Sequence, residues 1–255
     1  MMAHTGIRPI DEQIPGGIPQ GYLVLIEGPL GVGKTFMAYS FAVSAMREGA
    51  PVAVIAVDAL PEEVQEELEA RGLATASLVI IDGFYAPTEK LSKMKGAGRA
   101  KLEVLDAKAV LDKLADLAQE LRGGVVIIDS LNEILLRSSS VFELLRGLKI
   151  FARYANAVVV GVVHTDVEDV RNALSLSEHL ADFIIQADVD PELEQMGLYV
   201  RRIRIARAKR FKVSHDWIHI DIWGGEVVEV DVKALIHALN RRLKELGIRR
   251  ETGGG

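Results

Sequence analysis

Six apolar runs of strand length punctuate the chain: YLVLIE (22 to 27), VAVIAV (52 to 57), LVIIDG (78 to 83), GVVIID (124 to 129), AVVVGVV (157 to 163) and FIIQA (183 to 187). They are rich in Val and Ile and scarcely alternate with polar residues, as strands buried on both faces do. Segments of helical period lie between them, at about 34 to 47, 61 to 71, 102 to 121 and 140 to 154. Alternating strands and helices predict an α/β fold around a mostly parallel sheet. From 198 the pattern changes. LYVRRIRIARAKRF, WIHIDIW and EVVEVD alternate apolar and polar positions, which predicts half-exposed antiparallel strands extending one edge of the same sheet. An amphipathic helix over 231–246 closes the pattern. We therefore expect a single domain over 1–250 and a disordered tail, ETGGG, over 251–255. Two further stretches, 86–101 and 189–197, lack any period and read as flexible loops.

Composition narrows the class. With 255 residues, 49 % of them hydrophobic, the chain can bury a large core. It shows no basic and apolar leader, and no apolar run near the roughly 20 residues of a membrane-spanning helix, so the expectation is a cytoplasmic protein without membrane insertion. The absence of cysteine excludes disulfides, thiolate metal sites and cysteine nucleophiles. Net charge is −6, yet RRIRIARAKRFK (201 to 212) holds seven basic residues, so one basic strand sits on an otherwise acidic chain.

Chemistry concentrates at GPLGVGKT, residues 28 to 35, which matches G-x-x-x-x-G-K-[ST] with a strand before it and a helix after it. Gly28, Gly31 and Gly33 let the backbone curl through Pro29, Leu30 and Val32, so that successive N–H groups face phosphate oxygens at the positive end of the following helix. Lys34 then reaches the β and γ phosphates, Thr35 offers its hydroxyl to Mg²⁺, and Phe36 opens the helix beside the nucleotide. A second acid for the metal is expected at the end of another buried strand, and GVVIIDS delivers Asp129 there. Ser130, not Glu, follows it, so the adjacent Asp-Glu pair that many ATPases use is missing.

TGIRPIDEQIPGGIPQGYLVLIEGPLGVGKT (5 to 35) and VVIIDS together resemble the KaiC-like and RadA-like branch of the RecA superfamily, over about residues 5 to 230. The resemblance implies a RecA-like P-loop core that binds ATP and Mg²⁺. It also implies self-association, a hexamer being one candidate, with ATP between subunits and an unidentified protein partner. In KaiC-like proteins the strand after the phosphate-loop helix ends in two glutamates, one of which polarises the attacking water. Pro61 sets the register here, so those positions hold Asp58 and Ala59: one carboxylate is shorter and the other is lost. Asp58 is thus either a base or a polar strand end. His164 matches the place of a γ-phosphate sensor, or merely ends its strand. Arg207-Ala208-Lys209 resembles, with residue types reversed, the Lys-x-Arg that reaches a neighbour's γ phosphate; the alternatives are a solvated sheet edge or a nucleic-acid contact.

Three functions follow: a slow, self-associating ATPase, an ATP-dependent partner switch that hardly hydrolyses, and a RadB-like DNA recombination or repair accessory. The last lacks aromatic stacking residues, since only Phe211 and Tyr199 lie near the basic strand.

Overall fold

In the computed structural model the described residues are 2–72, 78–84, 100–138, 140–175 and 178–245. The expectations for most of 86–101 and for the 251–255 tail fall outside them. A two-stranded ribbon of β1 (Met2–Ala3) and β2 (Ile18–Pro19), with the short α1 (Arg8–Asp11) between, leads into β3 (Leu23–Gly28) and α2 (Lys34–Arg47). Next come β4 (Val52–Ala56), α3 (Pro61–Ala70), β5 (Leu78–Asp82), the short edge strand β6 (Ala100–Lys101) and α4 (Ala107–Asp116). The chain continues through β7 (Val125–Asp129), α5 (Leu131–Arg137), α6 (Val141–Ala155), β8 (Val158–His164), α7 (Glu168–Ser175) and β9 (Phe183–Val189). It ends with α8 (Pro191–Gln195), β10 (Arg201–Ala208), β11 (Ile218–Trp223), β12 (Glu226–Glu229) and α9 (Val232–Glu245).

The sheet has ten strands in the order β12-β11-β10-β9-β3-β8-β7-β4-β5-β6. Pairs from β9 through β6 are parallel, and β9 through β12 pair antiparallel, as the switch in sequence pattern predicts. Strand side chains alternate between two cores. Val24, Ile26, Val54 and Ile127 pack with Met37 and Phe41 of α2, while Leu23, Leu25, Ile55 and Ile128 pack with Leu144 and Leu148 of α6. A sheet covered on both faces needs apolar residues at every position, which is why the runs show no alternation.

Two expectations are corrected, and one helix is new. The helix read over 102–121 is confined to Ala107–Asp116, because the Asp106 carboxylate accepts the Ala109 N–H at 2.8 Å and starts the helix there. The loop read over 189–197 contains α8, whose start is fixed by Asp190 accepting from the N–H groups of Glu192 and Leu193, with Pro191 in the first turn. Leu131–Arg137 is a helix the periodicity did not signal.

Two strands, β8 and β7, separate β3 from β4, although β4 follows β3 in sequence. The carboxyl ends of β3, β8, β7 and β4 therefore stand side by side, and the loops leaving them converge.

Candidate active site

The turn after β3 takes its shape from glycine. Gly31 and Gly33 have φ of +81° and +92°, and a Cβ on Gly33 would lie 2.5 Å from the Ile222 side chain. Gly28 is required for proximity: a Cβ there would approach the Ala187 carbonyl oxygen to 2.2 Å. Lys34 begins α2 with its side chain folded back, the ammonium donating to the Pro29 carbonyl oxygen. Burial lowers its pKa from 10.5 to about 8, against the opposing pull of Asp166, Asp129 and Asp58. A curled backbone closing on a buried ammonium is a cradle for an anion.

Asp129 ends β7 with 4 % of its surface exposed and accepts the Thr35 hydroxyl at 3.3 Å. Burial, helped by the charge of Asp58, pushes its carboxyl up to about 6. Tyr39, one turn beyond Thr35 on the same face of α2, turns its hydroxyl to the same carboxylate; burial and this contact raise the phenol. Among the described residues no three His, Asp or Glu gather into a cage for a metal ion. A hydroxyl beside one carboxylate nevertheless fits Mg²⁺, which keeps several waters and is bound jointly with phosphate oxygens.

Asp58 lies just past β4, held by its backbone: both Val57 N–H (2.9 Å) and Asp58 N–H (3.1 Å) donate to the Asp129 carbonyl oxygen. Its carboxylate meets His164 Nε2 at 3.2 Å. Burial alone would raise the Asp58 carboxyl, but His164, with a smaller contribution from Ser130, outweighs it and holds the group below the ordinary carboxylate range. His164 in turn is fixed by Asn132, whose side-chain amide accepts the His164 N–H at 2.8 Å and donates to its carbonyl at 2.9 Å. The other ring nitrogen, Nδ1, is buried without a partner.

Lys34, Thr35, Phe36, Tyr39, Ala59, Glu63 and His164 line one pocket of about 450 Å³ at the mouth of the phosphate loop. Glu63 is committed to its own helix, accepting the Leu60 N–H at 2.7 Å. Ala59 itself brings no carboxylate, and Glu67 on the same wall is paired with Arg71 at 2.5 Å.

Arg207 and Lys209 lie apart from this group. Arg207 pairs with Ile184, level with Leu25, and lines a separate pocket with Arg204 and His215. Lys209 sits at the amino end of the sheet and, with Lys149, contacts the fully buried Asp182 at 3.4 and 2.9 Å. The basic strand has a further aromatic neighbour: Trp217, just before β11, lies against the guanidinium groups of Arg202 (4.4 Å) and Arg204 (4.6 Å). Sequence reading missed Tyr39, Asn132 and Trp217. Of these only Tyr39 carried a signal, its i+4 spacing from Thr35.

No helix among the described residues is long and apolar enough to cross a membrane. The family profile described as "ATPase: KaiC" matches residues 3–247. A UPF0273 protein of Aeropyrum pernix is 25 % identical, covering 82 % of this chain and 86 % of its own length. The DNA repair and recombination protein RadB of Thermococcus sibiricus is 23 % identical over 90 % of this chain and 96 % of its own. The circadian clock protein KaiC2 of Synechocystis is 23 % identical over 96 % of this chain, which spans 43 % of that relative; a UPF0273 protein of Thermotoga maritima is spanned to 63 %. The crystal structure of a KaiC-like protein from Pyrococcus horikoshii superposes with a TM-score of 0.69 at 19 % identity, covering 90 % of this chain and 99 % of that one. With the family profile spanning nearly the whole chain and the fold shared, the chain belongs to the KaiC family of ATPases within the RecA superfamily.

Proposed function

We propose that the protein is a slow, self-associating Mg·ATP hydrolase of the cytoplasm that acts as a regulatory switch. The observation that carries the reading is the Asp58–His164 pair, set between the Asp129 strand end and the pocket that holds Lys34 and Thr35. The backbone N–H groups from Gly31 to Gly33 and the Lys34 ammonium bind the phosphates; Phe36 flanks the nucleotide. Thr35 and Asp129 would hold Mg²⁺, which when bound neutralises charge on the transferring phosphoryl group. Asp58 orients the attacking water and takes its proton, while His164, positioned by Asn132, fixes the carboxylate and responds to the γ phosphate. A carboxylate held below its ordinary range is a weak base, and Ala59 offers no second one; both features favour slow turnover. Arg207, whose Nε is buried without a partner, supports a contribution to the nucleotide of a neighbouring copy, whereas Lys209 is engaged with Asp182.

Steady-state phosphate release with Mg·ATP tests the reading. Lys34→Ala abolishes release, and Asp58→Asn lowers it about 100-fold while nucleotide binding persists. Equal release from the wild type and Lys34→Ala would sink the hydrolase. Retained release in Asp58→Asn would remove Asp58 alone.

A second reading, DNA binding as in RadB-like proteins, is favoured by one observation: Arg202 and Arg204 stacked on Trp217 combine cations with a π-face, as single-strand binders do. Retention of single-stranded DNA that falls steeply with salt, and is lost in Trp217→Ala, would support it.

A further inference from the structure

The peptide between Pro29 and Leu30 is grasped from both ends. Its carbonyl takes the Lys34 ammonium, and its N–H donates to the Asp166 carboxylate at 2.6 Å. Asp166 belongs to the segment leaving β8, which is stitched to the phosphate loop a second time by Thr165 N–H donating to the Gly28 carbonyl at 3.1 Å. Asp166 is otherwise solvent-exposed and no motif marks it. Because β8 stands between β3 and β7, the turn carrying Asp166 rises between the phosphate loop and the Asp58–Asp129 side of the site. This is the end at which Lys34 meets the outer phosphates.

We propose that Asp166 is a specificity-setting residue, a carboxylate anchored on the Leu30 N–H that weakens binding of the terminal phosphate and so narrows the preference for ATP over ADP. The inference rests on the nucleotide site described above. A fixed negative charge near the outer phosphates repels the nucleotide in proportion to the charge nearest it, and that charge is larger in ATP. Its hydrogen bond to Leu30 prevents the carboxylate from simply swinging into water as a free surface acid would. The β8–α7 turn thereby acts as a counterweight to Lys34, one sign of charge at each end of the same peptide.

Isothermal titration with Mg·ATP and with Mg·ADP decides the matter in wild type, Asp166→Asn, Asp166→Ala and Lys34→Ala. Asn keeps an oxygen acceptor for Leu30 and removes the charge. We expect Asp166→Asn to bind ATP about 5-fold tighter and ADP less than about 2-fold tighter, with the gain shrinking at high salt. Asp166→Ala loses the anchor as well as the charge, and a thermal melt of each variant confirms that the fold is kept. An unchanged ATP-to-ADP affinity ratio in Asp166→Asn, or an equal gain for both nucleotides, overturns the proposal while leaving the site intact. Unchanged ATP binding in Lys34→Ala overturns the site itself.

Discussion

Lys34 is 3 % exposed, and its lowered pKa links the site to pH in a definite direction. In the unfolded chain the ammonium titrates near 10.5, in the folded protein near 8. Between those values the unfolded state holds the extra proton, so the stability of the nucleotide-free protein rises as pH increases from about 8 toward 10. Phosphate prefers the ammonium, so ATP affinity has the opposite slope and falls up to about tenfold per pH unit above 8. Thermal melts from pH 7 to 9.5, with and without Mg·ATP, should show the nucleotide's stabilising increment shrink across that range. A constant increment would mean that Lys34 does not meet the phosphates. Lys34, Thr35 and Asp129 were legible in the sequence because a glycine-rich turn and an acid at a strand end are local patterns. Asn132 and Asp166 were not, since each acts on a partner that only the folded sheet brings near, and Tyr39 was signalled only by its spacing from Thr35.

At the scale of elements, the inserted strand β8 ties the site together. Its end is fixed by α5, through the two hydrogen bonds between Asn132 and the His164 backbone, and Asn132 is itself buried. Asn132→Ala leaves two partly buried backbone groups without this partner and should cost about 1 to 3 kcal/mol in chemical denaturation. It should also lower phosphate release more than it lowers ATP affinity. Loss of stability with no change in turnover would reduce Asn132 to a fold residue. The apolar runs disclosed that β8 exists and is buried on both faces. They could not disclose that it lies between β3 and β7, because strand order depends on crossovers between segments far apart in the chain. The base of the same sheet illustrates the limit again: Lys209, read from its charge as a candidate finger, neutralises Asp182 together with Lys149.

The whole molecule is acidic, at −6, with the basic residues of β10 gathered along one flank of the sheet. Arg207 faces a pocket of its own, away from the phosphate loop of its chain. On the proposed self-associating reading, a Lys34→Ala chain can lend its Arg207 and an Arg207→Ala chain its intact phosphate loop. Mixing the two inactive variants should then restore a measurable fraction of turnover, and light scattering should show a larger particle with an ATP analogue than without. No recovery on mixing, in particles that do assemble, would place Arg207 outside the reaction. The switch from unbroken apolar runs to alternation at 198 was enough to read the antiparallel flank. What meets that flank is a property of two surfaces, and one chain's sequence describes only one of them.

The Asp129 carbonyl receives both the Val57 and the Asp58 N–H groups, so the ends of β7 and β4 are pinned at a single atom. The two strand ends that carry the proposed metal acid and the proposed base are thereby coupled, so a shift of one carries the other with it. On the other side of the site the turn after β8 is bonded to the phosphate loop as well, through Thr165 and Asp166, so the loop, the turn and the two acids form one continuous ledge.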